Sequence, residues 1–110
     1  VTLKEVFLDR DPERGELVVF RNPEQRRRHW IKRVIATGGD EVEWRENGEV
    51  FVNGDLLKQT LTDDQDEYTE ENGGRDYTIR LSADLPGGRS SGQLIVPDYQ
   101  CFVLGDNRFA

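Results

Sequence analysis

Apolar and polar residues alternate along this chain in short runs that break at Gly, Asn or Pro, and alternation with a period of two is the signature of half-buried β-strands. Runs at 3–8, 16–21, 30–37, 41–45, 49–53, 77–81, 94–96 and 100–104 are rich in β-branched and aromatic residues and are predicted strands. The clearest local signal spans 42–52. There Val42 and Trp44 on one arm and Val50 and Val52 on the other recur with a period of two, and Asn47-Gly48 between them predicts a hairpin closed by a type I′ turn. No stretch carries the helical period, so the expected class is all-β, and 110 residues make a single domain over 1–110.

Two stretches interrupt the pattern. Residues 60–75 gather Asp63, Asp64, Asp66, Glu67, Glu70 and Glu71 and offer little to bury, while 85–92 runs Leu-Pro-Gly-Gly-Arg-Ser-Ser-Gly; both are expected as solvated or flexible segments. The acidic stretch lacks the Gly and the terminal Glu of an EF-hand loop, so it is not expected to hold calcium. A zinc site is not expected either, because Cys101 and His29 are single in the chain and three or four ligands are needed. With no second cysteine there is no internal disulfide, and Cys101, at a strand start, is expected to be a buried, inert thiol.

A net charge of -7 argues against a nucleic-acid binder, which needs a basic face. The local exception is Arg26-Arg27-Arg28-His29 with Lys32 and Arg33 beyond it. Such a run could meet an anionic membrane surface, but charge runs are more often solvated loops, and a loop is the expectation. No apolar run approaches the 18 residues of a membrane-spanning helix.

In a strand over 30–37, Trp30, Lys32, Val34 and Ala36 would share one face and Ile31, Arg33, Ile35 and Thr37 the other. Lys32 thus falls among apolar neighbours. Burial there would disfavour the ammonium and leave an amine able to take a proton from a hydroxyl, as a serine nucleophile requires. From the strand pattern alone, an edge lysine whose amine snorkels into water is the commoner outcome.

Three ordered segments change that balance. Arg14-Gly15-Glu16-Leu17-Val18-Val19-Phe20, Ile31-Lys32-Arg33-Val34-Ile35-Ala36-Thr37-Gly38-Gly39-Asp40 and Val103-Leu104-Gly105-Asp106-Asn107-Arg108 together resemble signature segments of the type I signal peptidases, membrane-bound serine proteases with a Ser/Lys dyad. The resemblance implies an antiparallel, β-barrel-like catalytic core in which about 46–92 is an insertion of variable size, built as a hairpin excursion. It implies Lys32 as the general base, with Gly105 packed against its side chain where a Cβ would crowd the amine. Arg33, Asp106, Asn107 and Arg108 match the scaffold of the site, with Asp106 paired to Arg33. Ile31 matches a position lining the pocket for small residues before the scissile bond, and the backbone of Trp30 one that binds substrate as an added strand. No cofactor is implied. The implied partners are signal peptides of pre-proteins, and the implied place is the outer side of the bacterial cytoplasmic membrane, with an anchor upstream.

The nucleophile is not among these residues. The family's serine lies in a Ser-x-Ser-Met-x-Pro-Thr segment, and this chain has no methionine; its serines are Ser82, Ser90 and Ser91. The Gly-Asp-Asn-Arg run also stops at Phe109-Ala110 where the family continues. The expectation is therefore a piece of a longer enzyme, inactive by itself. Where the family has Gly and Pro, Ala36 and Gly38 stand here, so the turn into Asp40 is expected to be looser. Two other readings remain: a non-catalytic β-module derived from the same fold, and the self-cleaving repressors, which share the Ser and Lys but not the Gly-Asp-Asn-Arg run.

Overall fold

The structure is a computed structural model that describes residues 2–5, 12–22, 25–82 and 90–109, with backbone only for 2–5, 20–22 and 25–29. Eleven strands follow one another: β1 Thr2–Glu5, β2 Leu17–Asn22, β3 Gln25–Thr37, β4 Glu41–Trp44, β5 Val50–Val52, β6 Asp55–Leu56, β7 Gln59–Leu61, β8 Glu67–Asn72, β9 Arg75–Arg80, β10 Gly92–Ile95 and β11 Gln100–Leu104. Among the described residues there is no helix, and every strand pairing is antiparallel. The all-β expectation therefore holds. Three sheets form, in the orders β1-β11-β3-β2, β10-β4-β5-β6 and β7-β8-β9.

The main core lies between the first two sheets. Ile35, Ala36 and Phe102 face Val42, Val50, Val52, Leu57 and Val96, all buried, and Trp44 stacks on Phe102 with ring centroids 5.1 Å apart. Even with a chain only 35% hydrophobic, these β-branched residues interdigitate because each sheet turns its apolar alternates inward.

The expected hairpin at 42–52 is present, but its turn is of another type. Gly48 N–H donates to Arg45 C=O (3.0 Å), and of the turn residues only Gly48 has a positive φ (95°), whereas a type I′ turn needs two in succession. The chain does use the two-residue pattern elsewhere. Asn53-Gly54 (φ 54° and 83°) joins β5 to β6, and Gly73-Gly74 (φ 61° and 83°) joins β8 to β9. A Cβ on Gly48 would stand 2.6 Å from Leu81 Cδ2, while one on Gly54 would meet nothing within 4 Å. Gly48→Ala is expected to destabilise the chain by about 1–3 kcal/mol, from overpacking added to the positive φ, and Gly54→Ala by less; denaturant melts compare them.

Two expected loops are corrected to strands. The acidic stretch 60–75 is not a solvated loop: it forms part of β7, all of β8 and the turn into β9, and it buries Glu70 and Asn72 completely or nearly so (0% and 2% exposed). The basic run 26–29, expected as a loop, lies inside β3. Of the expected strand 3–8, residues 6–8 lie outside the described residues, as do 85–89 of the second flexible stretch, whose Gly92 begins β10. No described helix is long and apolar enough to cross a membrane.

The turn into Asp40 is tied rather than loose. Asp40 N–H donates to Thr37 C=O (2.9 Å), and the Asp40 carboxylate accepts from Thr37 N–H (2.9 Å), the Thr37 hydroxyl (3.2 Å) and Asn53 Nδ2 (3.0 Å). Partial burial alone would push this carboxyl up, but those hydrogen bonds and the charge of Arg14 outweigh it and hold Asp40 below its ordinary range.

Candidate active site

Strand β3 carries the lysine, and a bulge decides what surrounds it. Against β11, Val103 pairs with Val34 and Phe102 with Ala36, leaving Ile35 as the extra residue. Ile35 and Ala36 consequently both turn into the main core with Phe102, so Ala36 leaves the face that strict alternation would give it. What remains on the lysine's face is a second, smaller apolar cluster of Val18, Val34, Cys101 and Val103. Lys32 pairs directly with Val18 across the β2–β3 ladder and shares its face with Val34, at the end of this cluster and part-buried.

Gly105 closes the far side. The lysine Nζ lies 3.4 Å from the place a Cβ on Gly105 would take, an ordinary contact distance, so a methyl there would touch the amine without forcing it aside. Among the described residues no carboxylate forms an ion pair with Lys32.

The neighbouring Arg33 points the other way and is fully engaged. Its Nε and Nη2 donate to the two carboxylate oxygens of Asp106 (3.3 and 2.8 Å), Nη1 donates to Gly15 C=O (3.2 Å), and its guanidinium stacks 4.3 Å from the centre of the Tyr77 ring. The lysine strand, the C-terminal turn and the turn before β2 are thereby tied at one residue. Asp106 C=O in addition accepts from Arg80 N–H (2.8 Å), and Arg108 N–H donates back to Arg80 C=O (3.0 Å) around an exposed Asn107.

Arg108 is deeper. Its guanidinium grips Glu70 with two hydrogen bonds (2.6 and 3.1 Å), at side-chain exposures of 4% and 0%, and its Nε donates to Gly105 C=O (2.8 Å). Glu70 accepts further bonds from the Tyr77 hydroxyl (2.6 Å) and Gln59 Nε2 (2.8 Å). Burial, and then the Glu70 carboxylate beside it, push the Tyr77 phenol well above its ordinary value, so it stays a donor.

Of the residues singled out from sequence, Lys32 and Gly105 meet at one point, with Arg33, Asp106 and Arg108 behind them. Trp30 and Ile31 lie on the same strand, exposed by 38% and 58%, but alternation sets Ile31 beside Val19 on the face opposite Lys32. The β11 ladder along β3 ends at Arg33, so among the described residues the β3 edge at 30–32 away from β2 carries no strand. Glu70, Gln59, Asn72 and Tyr77 were missed. The double glycine after Asn72, with alternation on either side, was the available signal for a hairpin there.

Cys101 sits in the lysine-side cluster, fully buried, and burial pushes its thiol up from 9.0 to about 11. The neutral thiol is the form the fold accepts. Iodoacetamide at neutral pH is expected to label Cys101 at least about tenfold more slowly in the folded chain than in denaturant. Because the thiol titrates higher folded than unfolded, its contribution is complete below pH 9.0 and is lost as pH rises through about 11, so thermal melts should fall across that window; the Tyr77 phenol, raised from 10.0, adds to the fall only above pH 10.0. A Cys101→Ser variant that kept the whole slope would reject the thiol's share.

A protein-family comparison matches residues 2–110 to the family described as signal peptidase, peptidase S26. Signal peptidase I of Pseudomonas fluorescens is 31% identical over 96% of this chain and 39% of its own length. A probable signal peptidase I-2 of Synechocystis is 38% identical over 90% of the chain and 38% of its own. Signal peptidase I P of Bacillus subtilis subsp. natto is 35% identical over 89% and 46%. The chain thus spans about two fifths of the length of the curated relatives it matches.

Proposed function

The chain belongs to the signal peptidase family, peptidase S26, and from that membership and the geometry at Lys32 we propose that it is the catalytic core of a serine endopeptidase that removes signal peptides from exported proteins. One observation carries the reading: the Lys32 amine rests against Gly105 at the end of an apolar face, with no carboxylate beside it among the described residues. Lys32 is the general base, and its nucleophilic partner is a serine supplied by a segment that these 110 residues do not contain. The Lys32 amine takes the proton of the serine hydroxyl as the oxygen attacks the scissile carbonyl, and returns it to the leaving amine. These residues alone are inactive for want of that hydroxyl.

Gly105 backs the amine. Arg33, Asp106, Asn107 and Arg108 hold the turn that carries it. In the same reading the Trp30 backbone binds an extended substrate as an added strand, and Ile31 contributes to the pocket for the small residues before the cut. Its partners are the signal peptides of bacterial pre-proteins, and its place is the outer side of the cytoplasmic membrane. The basic stretch of β3 would help it meet anionic lipid there, and nucleic acid is not a partner. No cofactor enters the chemistry.

The full-length protein, expressed in a bacterium depleted of its own signal peptidase, should restore processing of an exported pre-protein. Accumulation of unprocessed precursor despite stable, membrane-located protein would reject the reading.

A further inference from the structure

The β7–β9 sheet, apart from the signature segments, is built into the site. Two residues of β8 spaced by two, Glu70 and Asn72, turn their side chains the same way and are buried. Asn72 reaches the lysine strand itself, and Glu70 reaches the turn that follows β11. Asn72 Nδ2 donates to Ile35 C=O (3.0 Å), the carbonyl of the bulged residue that has no partner in the β11 ladder, and Asn72 Oδ1 is itself fixed by Arg14 Nε (2.8 Å). Glu70 holds the Arg108 guanidinium, whose Nε donates to Gly105 C=O. Gly105 lies beyond the last β11–β3 pair, so this donor, not the ladder, orients the peptide against which Lys32 rests.

We propose that Glu70 is a positioning residue for the Lys32 site, acting through Arg108 to fix the Gly105 peptide behind the lysine amine. A buried ion pair is a poor way to gain stability, since an apolar pair of similar volume serves as well or better. It is a good way to fix geometry: the planar fork of Arg108 meets both carboxylate oxygens and still has Nε to spend on one chosen carbonyl. Glu70 is itself locked by Tyr77 and Gln59, so no atom of the relay is left to rotate. Such a supporting shell matters because a base displaced by about 1 Å can lose about a hundredfold in rate.

Two variants and two measurements test this. Glu70→Gln removes the charge that holds Arg108; Arg108→Lys keeps a cation beside Glu70 and removes only the donor to Gly105. In this chain, acetylation of Lys32 by a water-soluble amine-reactive ester, read by mass spectrometry against exposed Lys58 in the same sample, should rise at least about threefold in both variants as the Gly105 backing loosens. In the full-length protein, kcat for a pre-protein should fall at least about tenfold with KM nearly unchanged. An Arg108→Lys chain that melts with wild type and keeps the wild-type ratio of Lys32 to Lys58 labelling overturns the proposal. Should Glu70→Gln fail to fold, Arg108→Lys decides alone. The kinetic arm rests on Lys32 being the base, whereas labelling does not. A wild-type parent that cleaves nothing therefore rejects the peptidase reading, while the labelling ratio still decides the role of Glu70.

Discussion

Lys32→Arg in the full-length protein is expected to lower pre-protein cleavage by at least about a thousandfold while leaving the fold intact. The size follows from the proposed role of Lys32 as general base: removing one member of a nucleophile–base pair costs about as much as removing both, and only the residual catalysis of binding and oxyanion stabilisation survives. Arginine is the sharpest replacement. It keeps a long stem and a positive head, so any contribution of Lys32 to packing against Val18 and Val34, or to charge at the site, is largely preserved. A guanidinium does not give up its proton near neutral pH, so it cannot act as a base. Lys32→Ala should lose activity to a similar extent with little change in melting, because the side chain is only part-buried and makes no ion pair among the described residues. Single-turnover assays on purified, membrane-anchored enzyme supply the number. An arginine variant within tenfold of wild type would sink the Ser/Lys mechanism, since a fixed cation would then suffice.

The elements that sequence made legible are those where local chemistry and tertiary packing agree. Strands β4, β5, β10 and β11 follow alternation because one face of each meets the main core, and Lys32, Gly105 and the Arg33–Asp106 pair stand in segments whose spacing survives in the fold. The failures share one physical cause. Glu70 and Asn72 look solvent-seeking because a lone carboxylate or amide is costly to bury, and composition cannot show that Arg108, Tyr77, Gln59 and Arg14 arrive from elsewhere in the chain to satisfy them. The bulge at Ile35 was hidden for the same reason. It leaves no mark in residues 30–37, is set by the β11 register, and alone moves Ala36 from the lysine's face into the main core. At Asn47-Gly48 the dipeptide marked the hairpin but not its turn, because a left-handed residue is needed only at Gly48.

The largest stability effect is expected at Arg108→Ala, at about 3–5 kcal/mol, because it strands the Glu70 carboxylate in a site with no exposure to water. Glu70 would keep its bonds from Tyr77 and Gln59, but neither brings a positive charge, and two neutral donors do not replace hydration of an anion. The same substitution frees the Gly105 carbonyl and opens space beside Phe109, itself buried. For a domain of this size each kcal/mol shifts the midpoint by about 4–8 °C, so the melt should fall by about 12 °C or more. An exposed ion pair such as Glu13–Arg75 gives the contrast: Arg75→Ala should cost at most about 1 kcal/mol, since water already screens both partners. Pairing the substitutions separates stranded charge from lost packing. Glu70→Leu with Arg108→Met removes both charges and fills the volume, and should recover most of the loss, because an apolar pair has no desolvation cost to offset. If Arg108→Ala cost no more than Arg75→Ala, Glu70 would have to be hydrated, and the buried relay behind Gly105 would not exist in solution.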